Sequence, residues 1–164
     1  MMVVSHVVLG VSAWTLAQRA GLAVPLGPEG AAAAALGALL PDIDHPSSWL
    51  GRRLWPISKP ISMVLGHRGL THSLLAVMGG LAVLMLVEPG RGLVRLAEPL
   101  ALGYLSHLAA DALTPAGVPL LWPWKQRFGV GLCSTGGVME WLVVAAVAAA
   151  TAFLTGLSPG PVWG

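Results

Sequence analysis

The chain has 164 residues, of which 10% are charged and 55% hydrophobic, and its mean hydropathy is +0.77. A water-soluble domain carries roughly 25% charged residues and needs more polar surface than this to cover its core, so the composition places the protein in a membrane. A net charge of +2, despite a pI near 9.2, leaves no basic stripe able to grip a phosphate backbone and excludes a nucleic-acid partner.

The length suits one domain, taken as residues 1–164. Cys133 is the only cysteine, so no intramolecular disulfide forms. Five unequal apolar segments follow one another. The first, about Met2 to Ala23, lacks the basic start and the small-residue cleavage site of a signal peptide and reads as a retained helix. The second, about Pro28 to Leu40, is rich in Ala and Gly. At ~1.5 Å per residue it is too short to cross a ~30 Å hydrocarbon core. The third, Gly69 to Val87, is long enough to span. The fourth, about Glu98 to Leu113, is again short, and the fifth, about Val138 to Leu157, spans comfortably. The expected fold is therefore all-α, an integral membrane helical bundle of about five hydrophobic helices, two of them short.

Two longer connections separate these segments. In "HPSSWLGRRLWPISKPISMVLGHR" apolar residues alternate with Arg52, Arg53 and Lys59, and three prolines interrupt, which suits an interfacial segment. The stretch "PAGVPLLWPWKQRFGVGLCSTGG" is similar. Alternation places the N-terminus and both connections on one side of the membrane. That side carries Arg52, Arg53, Lys59, Arg68, Lys125 and Arg127, against Arg19, Arg91 and Arg95 on the other, so it is expected to be cytoplasmic.

The ionisable residues segregate in the same way. His6 starts the first helix. Asp42, Asp44 and His45 follow the second in "PDIDH", while His67 and His72 bracket the start of the third in "HRGLTHS". His107 and Asp111 close the fourth in "SHLAAD", and Glu140 opens the fifth. All five histidines and four of the seven acids thus fall on one side, whereas Glu29, Glu88 and Glu98 fall on the other. Taken singly, each group has a structural explanation. His107 and Asp111, four apart on one helix face, can lock two helices; an Asp of "PDIDH" can cap a helix; Glu140 complements a helix N-terminus. Ionisable groups inside membranes are costly, and nine gathered at one face point to a shared task.

Mixed imidazole and carboxylate donors suit zinc, with manganese as the alternative, better than magnesium or copper(I). The candidate metal ligands are His6, Asp42, Asp44, His45, His67, His72, His107 and Asp111. They exceed one tetrahedral shell, so two ions, or one ion with outer partners, are expected. Such an ion activates water and polarises a phosphoryl or acyl oxygen. Glu140 is the candidate base, and Arg68 is placed to hold an anionic group in a bidentate contact. No competing nucleophile motif or phosphate-cradling glycine loop is present.

Through "PDIDH", "HRGLTHS" and "HLAADALTP" together, the chain resembles the YdjM-like family of predicted inner-membrane metal-dependent hydrolases, from His6 through Glu140. The resemblance implies a membrane-embedded helical fold and a metal-dependent hydrolase. It is more distantly similar to bacterial zinc-dependent phospholipase C, in which a His-x-x-x-Asp before Thr-Pro ligates metal, as His107, Asp111, Thr114 and Pro115 would here. The chain has Gly117 and Gly136 where that group has histidines, so the likeness does not imply the full trinuclear set. The expected function is hydrolysis of a lipid or membrane-adjacent phosphoester by metal-activated water at the cytoplasmic face of the inner membrane. Trp49, Trp55, Trp122 and Trp124 would sit at headgroup depth beside membrane lipids. The alternatives are a non-catalytic metal-binding scaffold or regulator and, less favoured because transport sites lie near the midplane, a metal transporter.

Overall fold

A computed structural model describes residues 1–23, 26–66, 68–87, 94–124 and 126–156. Among these residues the fold is all-helical. The helices are α1 (Val3–Arg19), α2 (Pro28–Gly37), α3 (Trp49–Arg53), α4 (Trp55–Leu65), α5 (Leu74–Val87), α6 (Ala97–Ala112) and α7 (Val138–Gly156). Single 3-10 turns at Leu40–Asp44 and Leu70–His72 precede α3 and α5.

Local sequence accounts for the breaks. Pro28 opens α2, where its missing N–H costs nothing and Glu29 meets the positive helix end. Pro41 then diverts the chain into the 3-10 turn that carries Asp42 and Asp44. His45 is extended before Pro46, as a residue preceding proline must be. Ser48 restarts the helix: its hydroxyl accepts from the Gly51 N–H at 2.9 Å and donates to the Asp42 carbonyl at 2.8 Å.

Helix α6 is the hub. It packs against α1 and α2, and more lightly against α5, while α7 lies on α1. The α2–α6 contact is backbone on backbone. A Cβ on Gly103 would lie 2.0 Å from the Ala34 carbonyl oxygen, and one on Gly37 would lie 2.1 Å from that of Leu100. Only glycine permits this approach, a device common where helices associate in lipid. The contact fixes the end of α2, and with it Asp42, against the last turns of α6.

The observed segments correct the expected ones in two respects. The third begins five residues late, because Gly69 to His72 forms a turn and Ser73 is extended. What remains, Leu74–Val87, has 14 residues, so it is not the full span expected of it. Among the described residues one helix, Val138–Gly156, is long and apolar enough to cross a membrane. Only Glu140 and Val144 are buried on it.

Candidate metal centre

Five elements deliver ionisable side chains to one place. From α1 comes His6, from the first 3-10 turn Asp42 and Asp44, from the second His72, and from α6 His107 and Asp111. Arg68 enters from the connection after α4. His6, Asp44, His72, His107 and Asp111 are all buried, while the Asp42 side chain is 20% exposed and that of Arg68 16%.

Two overlapping triads form. Asp42, His72 and His107 present ligand atoms within 4.8 Å of one another, and so do His6, His107 and Asp111. His107 Nε2 lies 3.9 Å from Asp42 Oδ1 and 3.8 Å from Asp111 Oδ2. His72 Nε2 lies 3.8 Å from Asp42 Oδ1 and 3.9 Å from Asp111 Oδ2. His6 Nε2 is 3.4 Å from Asp111 Oδ1. The four contacts of His72 and His107 are too long for hydrogen bonds, whereas His6 Nε2 lies within hydrogen-bond reach of Asp111. The corners of a tetrahedron with ~2.0–2.2 Å zinc bonds lie roughly 3.3–3.6 Å apart. The pairs that His72 and His107 make with Asp42 and Asp111 exceed that spacing by a few tenths of an ångström.

Orphaned atoms support the fit. His107 donates from Nδ1 to the Ala38 carbonyl oxygen at 2.7 Å, which leaves Nε2 with its lone pair. That Nε2 is buried and has no hydrogen-bond partner among the described residues, and the same holds for His6 Nδ1. The His6 and His107 rings stack with centroids 3.7 Å apart. Burying an unsatisfied nitrogen costs ~1–3 kcal/mol, a cost that ligation through His107 Nε2 removes at that atom.

Asp44 stands behind His72. Its Oδ2 faces His72 Nδ1 at 3.5 Å, accepts from the Arg68 backbone N–H at 2.9 Å and accepts from the Thr71 hydroxyl. A carboxylate holding the far nitrogen of an imidazole fixes the tautomer and aims the other nitrogen. Arg68 adopts φ of 56°, a left-handed conformation that non-glycine residues seldom take, at the residue whose N–H bonds Asp44. Its guanidinium reaches Asp111 Oδ2 at 2.6 Å, and the Met1 amine reaches Oδ1 at 2.6 Å.

A cavity of about 440 Å³ opens beside these groups, lined by His6, Asp42, His45, Ser48, Arg68 and Asp111 among others. The His45 ring lies at its wall, where Nδ1 accepts from the Ser47 N–H at 3.2 Å. Glu140 stands apart from the triads. Its carboxylate accepts from the Met2 N–H at 2.7 Å, Ser5 Oγ at 2.5 Å and the Gly136 N–H at 2.7 Å, tying α7 to α1. His67 lies outside the described residues. Sequence reasoning missed Thr71, Ser5 and Tyr104, whose hydroxyl donates to the Thr71 carbonyl. Thr71 and Ser5 each precede a candidate histidine, which was the available signal.

Comparison with known proteins agrees with the membrane composition. A family profile described as YdjM inner membrane protein matches residues 1–162. Inner membrane protein YdjM of Escherichia coli (strain K12) is 58% identical over 97 residues, covering 58% of this chain and 50% of that protein. The YdjM protein of Shigella flexneri matches to the same extent. The match thus spans half the length of these two relatives. YvsG of Bacillus subtilis (strain 168) is 38% identical over 124 residues, 75% of this chain and 76% of that protein. No solved structure matches. The chain belongs to the YdjM family of inner membrane proteins.

Proposed function

We propose that the protein is a multi-pass inner-membrane hydrolase that cleaves a phosphoester of a lipid or membrane-adjacent substrate, using a metal centre at the cytoplasmic face. The observation that carries this reading is the buried convergence of two His/Asp triads on His107, beside a cavity with Arg68 in its wall. Mixed nitrogen and oxygen donors favour zinc, with manganese as the alternative and one or two ions per chain. Such an ion supplies Lewis-acid polarisation of a phosphoryl oxygen and a water acidified toward pKa ~7.

The chain's own residues divide the remaining work. Asp42, His72, His107 and Asp111 would hold the ion, and Asp44 would orient His72. The Arg68 guanidinium, now on Asp111, is placed to meet an anionic group entering the cavity. Asp42 is partly exposed at the cavity wall, so it can take a proton from incoming water. Glu140 accepts three hydrogen bonds and, in this reading, serves the α1–α7 junction.

The membrane arrangement rests on apolar exposure. Helix α7 presents Leu142, Phe153 and Leu154 outward, and α4 presents Trp55, Ile57, Met63 and Val64 beside Lys59. The first suits a spanning helix and the second an interfacial one. Elemental analysis of the purified protein, followed by a panel of soluble and lipid phosphoesters, tests the function. Bound zinc with turnover that disappears in Asp111→Asn is expected. A protein that holds no metal sinks the proposal, and metal without turnover on any substrate favours a metal-binding scaffold or regulator.

A further inference from the structure

A second concavity, apolar and of about 350 Å³, runs between α5 and α6, and Leu40, Ala76, Gly80, Val87, Leu100 and Tyr104 are among its lining residues. One end adjoins the metal centre. Leu40 precedes Asp42 by two residues, and Tyr104 lies one turn before His107 and bonds the carbonyl of Thr71, the neighbour of His72. From there the groove follows α5 away from the centre.

Its length matches one leaflet. Ala76 and Val87 are eleven residues apart, which at ~1.5 Å per residue is roughly 16 Å, about half of a ~30 Å hydrocarbon core. Its floor is open, since a Cβ on Gly79 or Gly80 would meet nothing within 4 Å. The outer face of α5 is exposed and apolar at Met78, Met85 and Leu86. Hydrocarbon beside such a groove fills it, because an empty groove forfeits dispersion contacts along its walls. In lipid there is no hydrophobic gain to set one chain above another, so selection must come from the polar end, where Arg68 complements an anionic head.

We infer that the α5–α6 groove seats one acyl chain of a phospholipid whose phosphate lies at the metal centre, so that the substrate class is an acylated phosphoester. This rests on the hydrolase reading above and narrows it. It is tested on the full chain in nonionic detergent with a single-chain glycerol phosphate lipid carrying a photoactivatable diazirine at mid-chain. Adducts, mapped by peptide mass spectrometry, should concentrate on the groove faces of α5 and α6. Gly80→Trp, which fills the floor, should reduce them about tenfold, the loss that ~1.4 kcal/mol of forfeited contact produces. Ala101→Phe, in the opposite wall, should do the same, with zinc and helix content measured on each preparation to confirm folding. Adducts spread equally over α7 and indifferent to both substitutions overturn the inference. So does a dimer that Gly80→Trp dissociates, which would give the groove to a second copy. Failure of the hydrolase reading shows separately, as a parent protein without zinc or turnover whatever the adduct pattern.

Discussion

His107 donates its Nδ1 proton to the carbonyl oxygen of Ala38, joining the last turns of α6 to the end of α2. The carbonyl is one of those a helix C-terminus leaves unsatisfied, and the imidazole is left with one lone pair, on Nε2. Both triads need that atom, so His107 can serve one ion at a time. A second ion has to be held through Asp111, whose two oxygens face different histidines.

His107→Ala should therefore abolish binding of the ion that His107 holds, while His6→Ala should weaken binding and leave stoichiometry at the Asp42–His72–His107 triad unchanged. Elemental analysis with chelator competition reads both. Full occupancy in His107→Ala would remove this histidine from the site.

Asp111 and Asp44 should separate on substitution by the amide. Asp111→Asn keeps size and most hydrogen bonding but removes the charge a cation needs, so metal content and hydrolysis should fall together while helix content survives. Were Asp111 only the ion-pair partner of Arg68 and the Met1 amine, the change would lower stability by leaving those charges unpaired, with no link to metal content. Asp44→Asn, acting through His72, should lose ~10–100-fold in metal affinity. Equal effects at the two positions would contradict the assignment of roles.

Glu140→Gln should act on stability. The amide can keep some of the three donors but mispairs at least one, leaving a buried group unsatisfied at about 1–3 kcal/mol. Thermal unfolding should come earlier, with metal content preserved up to the transition. Loss of metal from the folded protein would return Glu140 to the centre.

The orientation of the chain has its own check. Six basic residues face three, so reporters fused to the two termini should place the N-terminus in the cytoplasm and the C-terminus outside it. A periplasmic N-terminal reporter would mean that the basic residues answer to the substrate.

The gathering of Asp42, His72, His107 and Asp111 was legible because their places at helix ends share one side, and helix alternation brings such ends together. The division of labour was not. Asp44 and Asp42 are two apart in a 3-10 turn that hydropathy does not reveal, and which of them stands behind His72 depends on the backbone of Arg68. The late start of α5 was legible and was missed. Ser73 before "LLAV" is a helix-capping serine, and its hydroxyl accepts from the Ala76 N–H at 3.3 Å. The Gly37 and Gly103 approach left no trace in periodicity, since a glycine inside an apolar helix reads the same whether it faces lipid or another backbone.

That approach bears on how the protein behaves when stripped of metal. With α2 and α6 in backbone contact, no side-chain rotamer stands between the helix that leads into the Asp42 turn and the helix that carries His107. The pocket is built by helix packing before any ion arrives, unlike a zinc finger, whose binding energy is its folding energy. Exhaustive chelation should therefore leave circular dichroism almost unchanged and be reversed by adding zinc back to the folded protein.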